Sequence, residues 1–381
     1  MENRTRWTLA VLVFVAVDAM SLQIRGALLP SIAEAFSVSE GALGLVAPAG
    51  TVGFLVAVLA VGMVAGRVPI RRALVGGVAC AALFLGAMAV APSYWPFLLL
   101  LFVHGAALGV FRGLDRVLLS HLYPDRRGSV FNLHSLAWAL GAVSGPALVA
   151  LVLPRADWQV VFALVALGFL PVLVLLRGLS VPESVRNERP LSLSAVPDLL
   201  RKRSILGMSL ALLCVGGIEG TVFTWLPYYA STSLPPATAA LALSAYLLAY
   251  IPGRIAYTTL ADRVAYRPLL LVISTLAVPA SYLAFVVAEG GTLLLSVFVL
   301  GLFVSGLFPT LSAVGVDAVP EYSGPASAVS TAATYVGIAV VPPIVGLVAE
   351  RESIAVAMGV PVVLLGLVTL VVAWLWLAGP E

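Results

Sequence analysis

The sequence predicts an all-α integral membrane protein, with twelve transmembrane helices arranged as two pseudo-symmetric six-helix bundles. Three observations carry this reading. First, 61% of the residues are hydrophobic and only 10% are charged, where a soluble domain carries roughly 25% charge. Such a chain cannot cover itself with polar surface in water. Second, the apolar residues come in runs long enough to cross a bilayer, about 20 residues each. Third, Val64-Ala65-Gly66-Arg67-Val68-Pro69-Ile70-Arg71 returns 196 residues later as Leu260-Ala261-Asp262-Arg263-Val264-Ala265-Tyr266-Arg267. The same offset lays Pro124-Asp125 on Pro320-Glu321, Gly128 on Gly324, Gly141 on Gly337 and Pro146 on Pro342. One register across separated landmarks points to two related halves.

The elements follow in order. Spans 1–6 are expected near 7–30, 41–65, 72–91, 96–121, 129–152 and 157–176, the first bundle occupying 1–176. Span 1 follows an Arg4/Arg6 end and has no small-residue cleavage site, so it reads as a retained helix. Spans 2 and 3 are joined by the first copy of the basic loop. Segment 177–203 holds Pro182, Glu183, Arg186, Glu188, Arg189, Pro190 and Arg201-Lys202-Arg203, and reads as a linker. Spans 7–12 are expected near 204–231, 236–260, 267–288, 292–317, 324–349 and 354–378, the second bundle occupying 204–381. Pro309 in span 10 and Pro342-Pro343 in span 11 are expected to bend their helices.

Charge sets the orientation. Fifteen of the 21 Lys and Arg fall in the terminal segment, the linker and the loops on one side; only Arg155 and Arg351 fall opposite. Lys and Arg collect on the cytoplasmic side, so both termini are expected there, in a multi-pass protein of the cell membrane. The net charge of +3 comes from these loops and forms no basic face, so nucleic acid is not an expected partner. Cys80 and Cys214 lie inside apolar runs, so neither a disulfide framework nor a metal site is indicated. There is no Gly-x-x-x-x-Gly-Lys phosphate loop and no nucleophile–His–acid arrangement. No cofactor and no enzymatic activity are expected, and the chain is expected to act as a monomer.

Two motifs carry a family resemblance. The second basic loop keeps Leu260-Ala261-Asp262-Arg263 and Arg267, while the first keeps Gly62, Ala65, Arg67 and Arg71 but has Gly66 in the acid position. Span 5 holds Gly141-Ala142-Val143-Ser144-Gly145-Pro146. With twelve spans and a central linker, these resemble the major facilitator superfamily over nearly the whole chain. Arg127-Gly128-Ser129-Val130-Phe131-Asn132-Leu133-His134 is also similar to its fucose-permease-like sugar branch. The resemblance implies a secondary transporter in which two bundles expose a central site alternately to each side, with spans 1, 4, 7 and 10 lining it. A proton-coupled carrier of a sugar-like solute or organic anion is the leading expectation. A proton-driven efflux antiporter is the alternative, since a longer form of the span 5 motif marks antiporters. A solute sensor that has lost transport is the alternative from another class; the short cytoplasmic ends argue against it.

Ionisable groups inside spans point to the site, since each costs roughly 2.5–3.5 kcal/mol at a helix centre. Asp18 and Arg25 are seven residues apart and share a face of span 1. They read either as a protonatable acid with a cationic partner or as a packed ion pair. Glu219 in span 7, among Gly216, Gly217 and Gly220, reads as a second proton site, and the 196 offset pairs it with Gln23. The glycines admit either a neighbouring backbone or a solute. In span 4, His104 and Arg112 are candidate substrate contacts, guanidinium offering forked donors to an anion or hydroxyls. Tyr250 in span 8 offers a ring and a hydroxyl, as does Tyr246. Trp225, Tyr228 and Tyr229 read as stacking groups or interfacial anchors. A cytoplasmic gate is expected from Arg67, Arg71, Asp115, Arg254, Asp262, Arg263 and Asp317, with Asp115 meeting Arg67 or Arg71 where Gly66 supplies no acid. His134 reads as a packing residue more readily than a proton relay.

Overall fold

The computed structural model describes residues 2–64, 69–180, 196–261 and 263–377. Twelve helices in it are long and apolar enough to span a membrane. Spans 1–6 are Asn3–Ala27, Glu40–Met63, Ile70–Met88, Tyr94–Leu122, Pro124–Val152 and Trp158–Leu176. Spans 7–12 are Arg203–Ala230, Pro236–Leu260, Tyr266–Val287, Thr292–Ala318, Pro325–Arg351 and Ile354–Leu377. Among the described residues there is no strand.

Proline explains most breaks inside spans. A proline lacks the amide N–H and its ring crowds the carbonyl one turn back. The helix of span 8 is interrupted at Ala249, three residues before Pro252. Span 10 breaks at Ser305-Gly306, just ahead of Pro309. Span 6 breaks at Phe169, ahead of Pro171. In span 11 one helix runs from Ser323 to Arg351 with Pro342-Pro343 inside it.

The chain divides into two compact units. The first holds Met1–Phe36 and Ala49–Leu191; the second holds Ser37–Pro48 and Ser192–Glu381. The split departs from two sequential halves in one place, because Ser37–Pro48 packs with the second unit. There the Tyr228 hydroxyl donates to Glu40 Oε1 at 2.9 Å and the Gly41 amide donates to Glu350 Oε2 at 3.0 Å.

Each unit is organised around one tightly packed pair. Span 1 lies along span 5 in the first, and span 7 along span 11 in the second. The contact is backbone-close for a local reason. A Cβ on Gly141 would run into the Ala16 carbonyl, and one on its repeat mate Gly337 into the Leu213 carbonyl. The repeat is therefore visible in packing as well as in sequence.

The second arginine of each basic loop also has matching work. Arg71 Nε donates to the Leu176 carbonyl at 3.3 Å, and Arg267 Nη1 to the Leu375 carbonyl at 3.4 Å. Both carbonyls lie at the C-terminal end of the last span of their own unit, where unpaired backbone acceptors and the helix dipole favour a cation.

Candidate functional site

In the first unit, spans 1, 4 and 5 bring four polar side chains together. Arg112 and Asp115 sit three apart on span 4, so they share one face. Arg112 Nη1 donates to Asp115 Oδ2 at 2.8 Å, and Arg112 Nε lies 3.5 Å from Asp18 Oδ2 of span 1. His134 Nε2 of span 5 is 2.9 Å from both Asp115 Oδ2 and Arg112 Nη1. The side chains of Asp115 and His134 are almost fully buried, while Arg112 and Asp18 keep 16% and 11% of their surface exposed. Arg112 and Asp18 thus form the partly accessible side of the cluster, with Arg112 as its cation.

This geometry rearranges the sequence-derived pairings. Asp18 pairs with Arg112, whereas Arg25 turns toward span 2, its guanidinium filling the space beside Gly50. Arg25 remains within electrostatic reach of Asp18. Asp115 bonds Arg112 and His134, while Arg71 is engaged at the end of span 6. Arg67 lies outside the described residues. His104 is buried, with Nδ1 2.9 Å from the Ala81 carbonyl and Nε2 3.3 Å from Ser21 Oγ. Those two bonds tie spans 1, 3 and 4 together and keep His104 out of the cluster. Gln23 is fully buried, and among the described residues neither of its amide atoms has a hydrogen-bond partner.

In the second unit, Tyr246, Tyr250 and Arg254 follow at four-residue steps on one stripe of span 8. The Tyr250 hydroxyl donates to Glu219 Oε1 at 2.7 Å, and the Tyr246 hydroxyl is 3.0 Å from that of Tyr250. The Arg254 guanidinium lies 5.2 Å from the Tyr250 ring centre and within electrostatic reach of Glu219. The glycines flanking Glu219 seat the backbone and side chains of span 11, at Thr334, Val341 and Ile338. Trp225 donates to the Pro342 carbonyl at 3.0 Å and Tyr229 to the Phe285 carbonyl at 3.3 Å, so both hold the unit together. Arg263 and Asp317 are exposed at helix ends. Asp262 lies outside the described residues, so its place among the gate groups is not part of this geometry.

The contact of His134 with Asp115 escapes single-span reasoning. His134 carries no charge signal in sequence, and only the fold sets it against Asp115. Tyr246 had a detectable signal, its four-residue spacing from Tyr250. Among the described residues no group of three or more His, Cys, Asp or Glu is placed to hold a metal ion.

Twelve apolar spans in two repeat-related units, each with an acid held by polar partners inside the spans, define a multi-pass membrane transport protein. The chain belongs to the Major Facilitator Superfamily, whose family model matches residues 11–234 and 230–381. It is a secondary transporter and not an enzyme. A gallate transporter of Pseudomonas putida is 30% identical over 185 residues, covering 48% of this chain and 41% of that protein. The match therefore spans less than half of that relative. Among solved structures, a bacterial homolog of the human lysosomal transporter Spinster superposes with a TM-score of 0.85 at 14% identity, covering 98% of this chain and 97% of the other. The fucose:proton symporter FucP of E. coli superposes with a TM-score of 0.66 at 18% identity, covering 96% and 98%.

Proposed function

We propose that the chain carries a small organic anion together with a proton, by alternating access, in the cell membrane with both termini cytoplasmic. The observation that supports this most is the charge arrangement around Arg112. Asp18 and Asp115 balance Arg25 and Arg112 among the buried and nearly buried groups of the first unit. Adding one proton to this set leaves one positive charge in excess, in surroundings where an uncompensated charge is costly. A carboxylate bound at the exposed edge of Arg112 restores neutrality, and guanidinium suits it through paired donors. Proton and anion then favour each other's binding, which is the thermodynamic content of coupling.

Asp18 is the acid placed to carry the proton, because its partner Arg112 is the group the anion engages. Glu219, held by Tyr250, is the buried acid of the second unit, at the repeat position of Gln23. The likeness to a gallate transporter supports a carboxylate-bearing solute.

The test is a panel of labelled solutes in proteoliposomes, with and without a pH gradient, including gallate, benzoate and a neutral sugar. Carboxylates accumulating under the gradient support the reading. Movement of the sugar with no movement of carboxylates refutes the anion assignment.

A further inference from the structure

Three atoms close a triangle in the first unit: Arg112 Nη1, Asp115 Oδ2 and His134 Nε2, separated by 2.8, 2.9 and 2.9 Å. A guanidinium nitrogen only donates hydrogen bonds, and a carboxylate oxygen only accepts them. The imidazole nitrogen does one or the other. Without a proton, Nε2 accepts from Arg112; with a proton, it donates to Asp115 and turns an N–H against that of Arg112. One nitrogen cannot make both bonds at once, so the triangle has two hydrogen-bonded states.

We infer that His134 is a positioning residue for Arg112, its protonation releasing the guanidinium from the span 5 side toward the anion site. The inference rests on the proposed anion–proton function and deepens it. A proton adds to the Nε2 lone pair, the Arg112–His134 bond breaks, and the His134–Asp115 bond forms. Starting from the tautomer with its proton on Nδ1, the ring passes from neutral to cationic, and loss of the Nε2 proton reverses each change. The charged groups facing His134 set the balance. Span 4 supplies Arg112 and Asp115, with Arg116 within electrostatic reach of Asp115. Span 1 supplies Asp18, with Arg25 behind it. Span 6, which also packs on span 5, carries no charged side chain. Among the described residues, Asp115 is the acceptor placed for the protonated ring and Arg112 the donor placed for the neutral one.

The test uses the full-length protein, labelled with 15N-histidine in lipid nanodiscs. The chain has three histidines, His104, His121 and His134, so H134Q and H121Q assign the ring signals. As the pH is lowered from about 9 to about 5, the His134 ring is expected to pass from an unprotonated Nε2 to an imidazolium. D115N is expected to lower its proton affinity by at least about tenfold, because the accepting carboxylate is gone. In proteoliposomes, H134Q is expected to lose at least about tenfold in pH-driven accumulation of labelled benzoate.

A ring that keeps one protonation state across the range, or a titration indifferent to D115N, overturns the inference. So does H134Q with undiminished pH-driven accumulation. If the wild-type protein moves neither benzoate nor gallate, the substrate reading fails while the histidine titration still decides the role of His134. The wild-type and D115N titrations carry the test even where H134Q does not fold.

Discussion

Asp115→Asn isolates the charge at the centre of the first unit's cluster. The substitution keeps the shape of the side chain and removes its charge. Asp115 is 1% exposed, and its Oδ2 accepts from Arg112 at 2.8 Å and lies 2.9 Å from His134 Nε2. An amide in its place leaves the Arg112 cation facing a neutral group, in a site where water compensates little. Removing one partner of a buried ion pair costs about 3–5 kcal/mol. Asparagine retains one accepting oxygen, and hydrogen bonds between membrane helices are worth only about 1 kcal/mol on average. The expected loss is therefore about 2–4 kcal/mol.

The exposed pair Arg201–Asp198 supplies the control. Its nitrogen–oxygen distance of 3.0 Å is similar, but its side chains are 82% and 79% exposed. Asp198→Asn should change stability by less than about 0.5 kcal/mol. Thermal unfolding of purified protein in detergent, followed by tryptophan fluorescence, separates the two variants. A cycle with Arg112→Met should show a coupling of at least about 1 kcal/mol between positions 112 and 115. If Asp115→Asn melts with the wild type, or no further from it than Asp198→Asn, the buried cluster is not the structural centre of the first unit.

Other perturbations follow from the same geometry. Asp18→Asn should abolish pH-driven accumulation of the transported anion while counterflow exchange persists, because exchange needs no net proton movement; loss of both would make Asp18 structural. Tyr250→Phe removes the donor to Glu219 and should cost about 1 kcal/mol in unfolding, with a measurable fall in pH-driven accumulation; an unchanged pH response would remove Tyr250 from the coupling machinery. Gly141→Val drives a side chain into the Ala16 carbonyl and should cost at least about 1–3 kcal/mol. By contrast, Gly76, with nothing within 4 Å of a new Cβ, should accept alanine with no loss in the same melt.

The architecture was legible because a bilayer simplifies the reading. Each span must satisfy its own backbone and face lipid, so apolar run length alone located all twelve helices. The repeat register was equally informative. It paired Gly141 with Gly337, which make the same close contact in their separate units, and Arg71 with Arg267, which both reach the end of their unit's last span. The pairing of side chains was less legible. Helical periodicity sets Asp18 and Arg25 on one face of span 1, but it cannot say which neighbour each meets. Arg112 meets Asp18, and Arg25 lies beside Gly50. Asp115 likewise reads as a cytoplasmic gate group by depth alone; the rotation of span 4 and the approach of span 5 decide that it faces His134. The placement of Ser37–Pro48 with the second unit also depends on contacts with spans 7 and 11 that no local pattern encodes.

The central claim is that one proton accompanies each anion. The most direct measurement is uptake of labelled gallate or benzoate into proteoliposomes, with the pH gradient and the membrane potential set independently by ionophores. One proton moving with one monovalent carboxylate transfers no net charge. The account therefore predicts accumulation when the exterior is acidic, none when a protonophore with valinomycin collapses the gradient, and no response to a potential applied alone. Accumulation driven by the potential alone, or surviving collapse of the pH gradient, would contradict it.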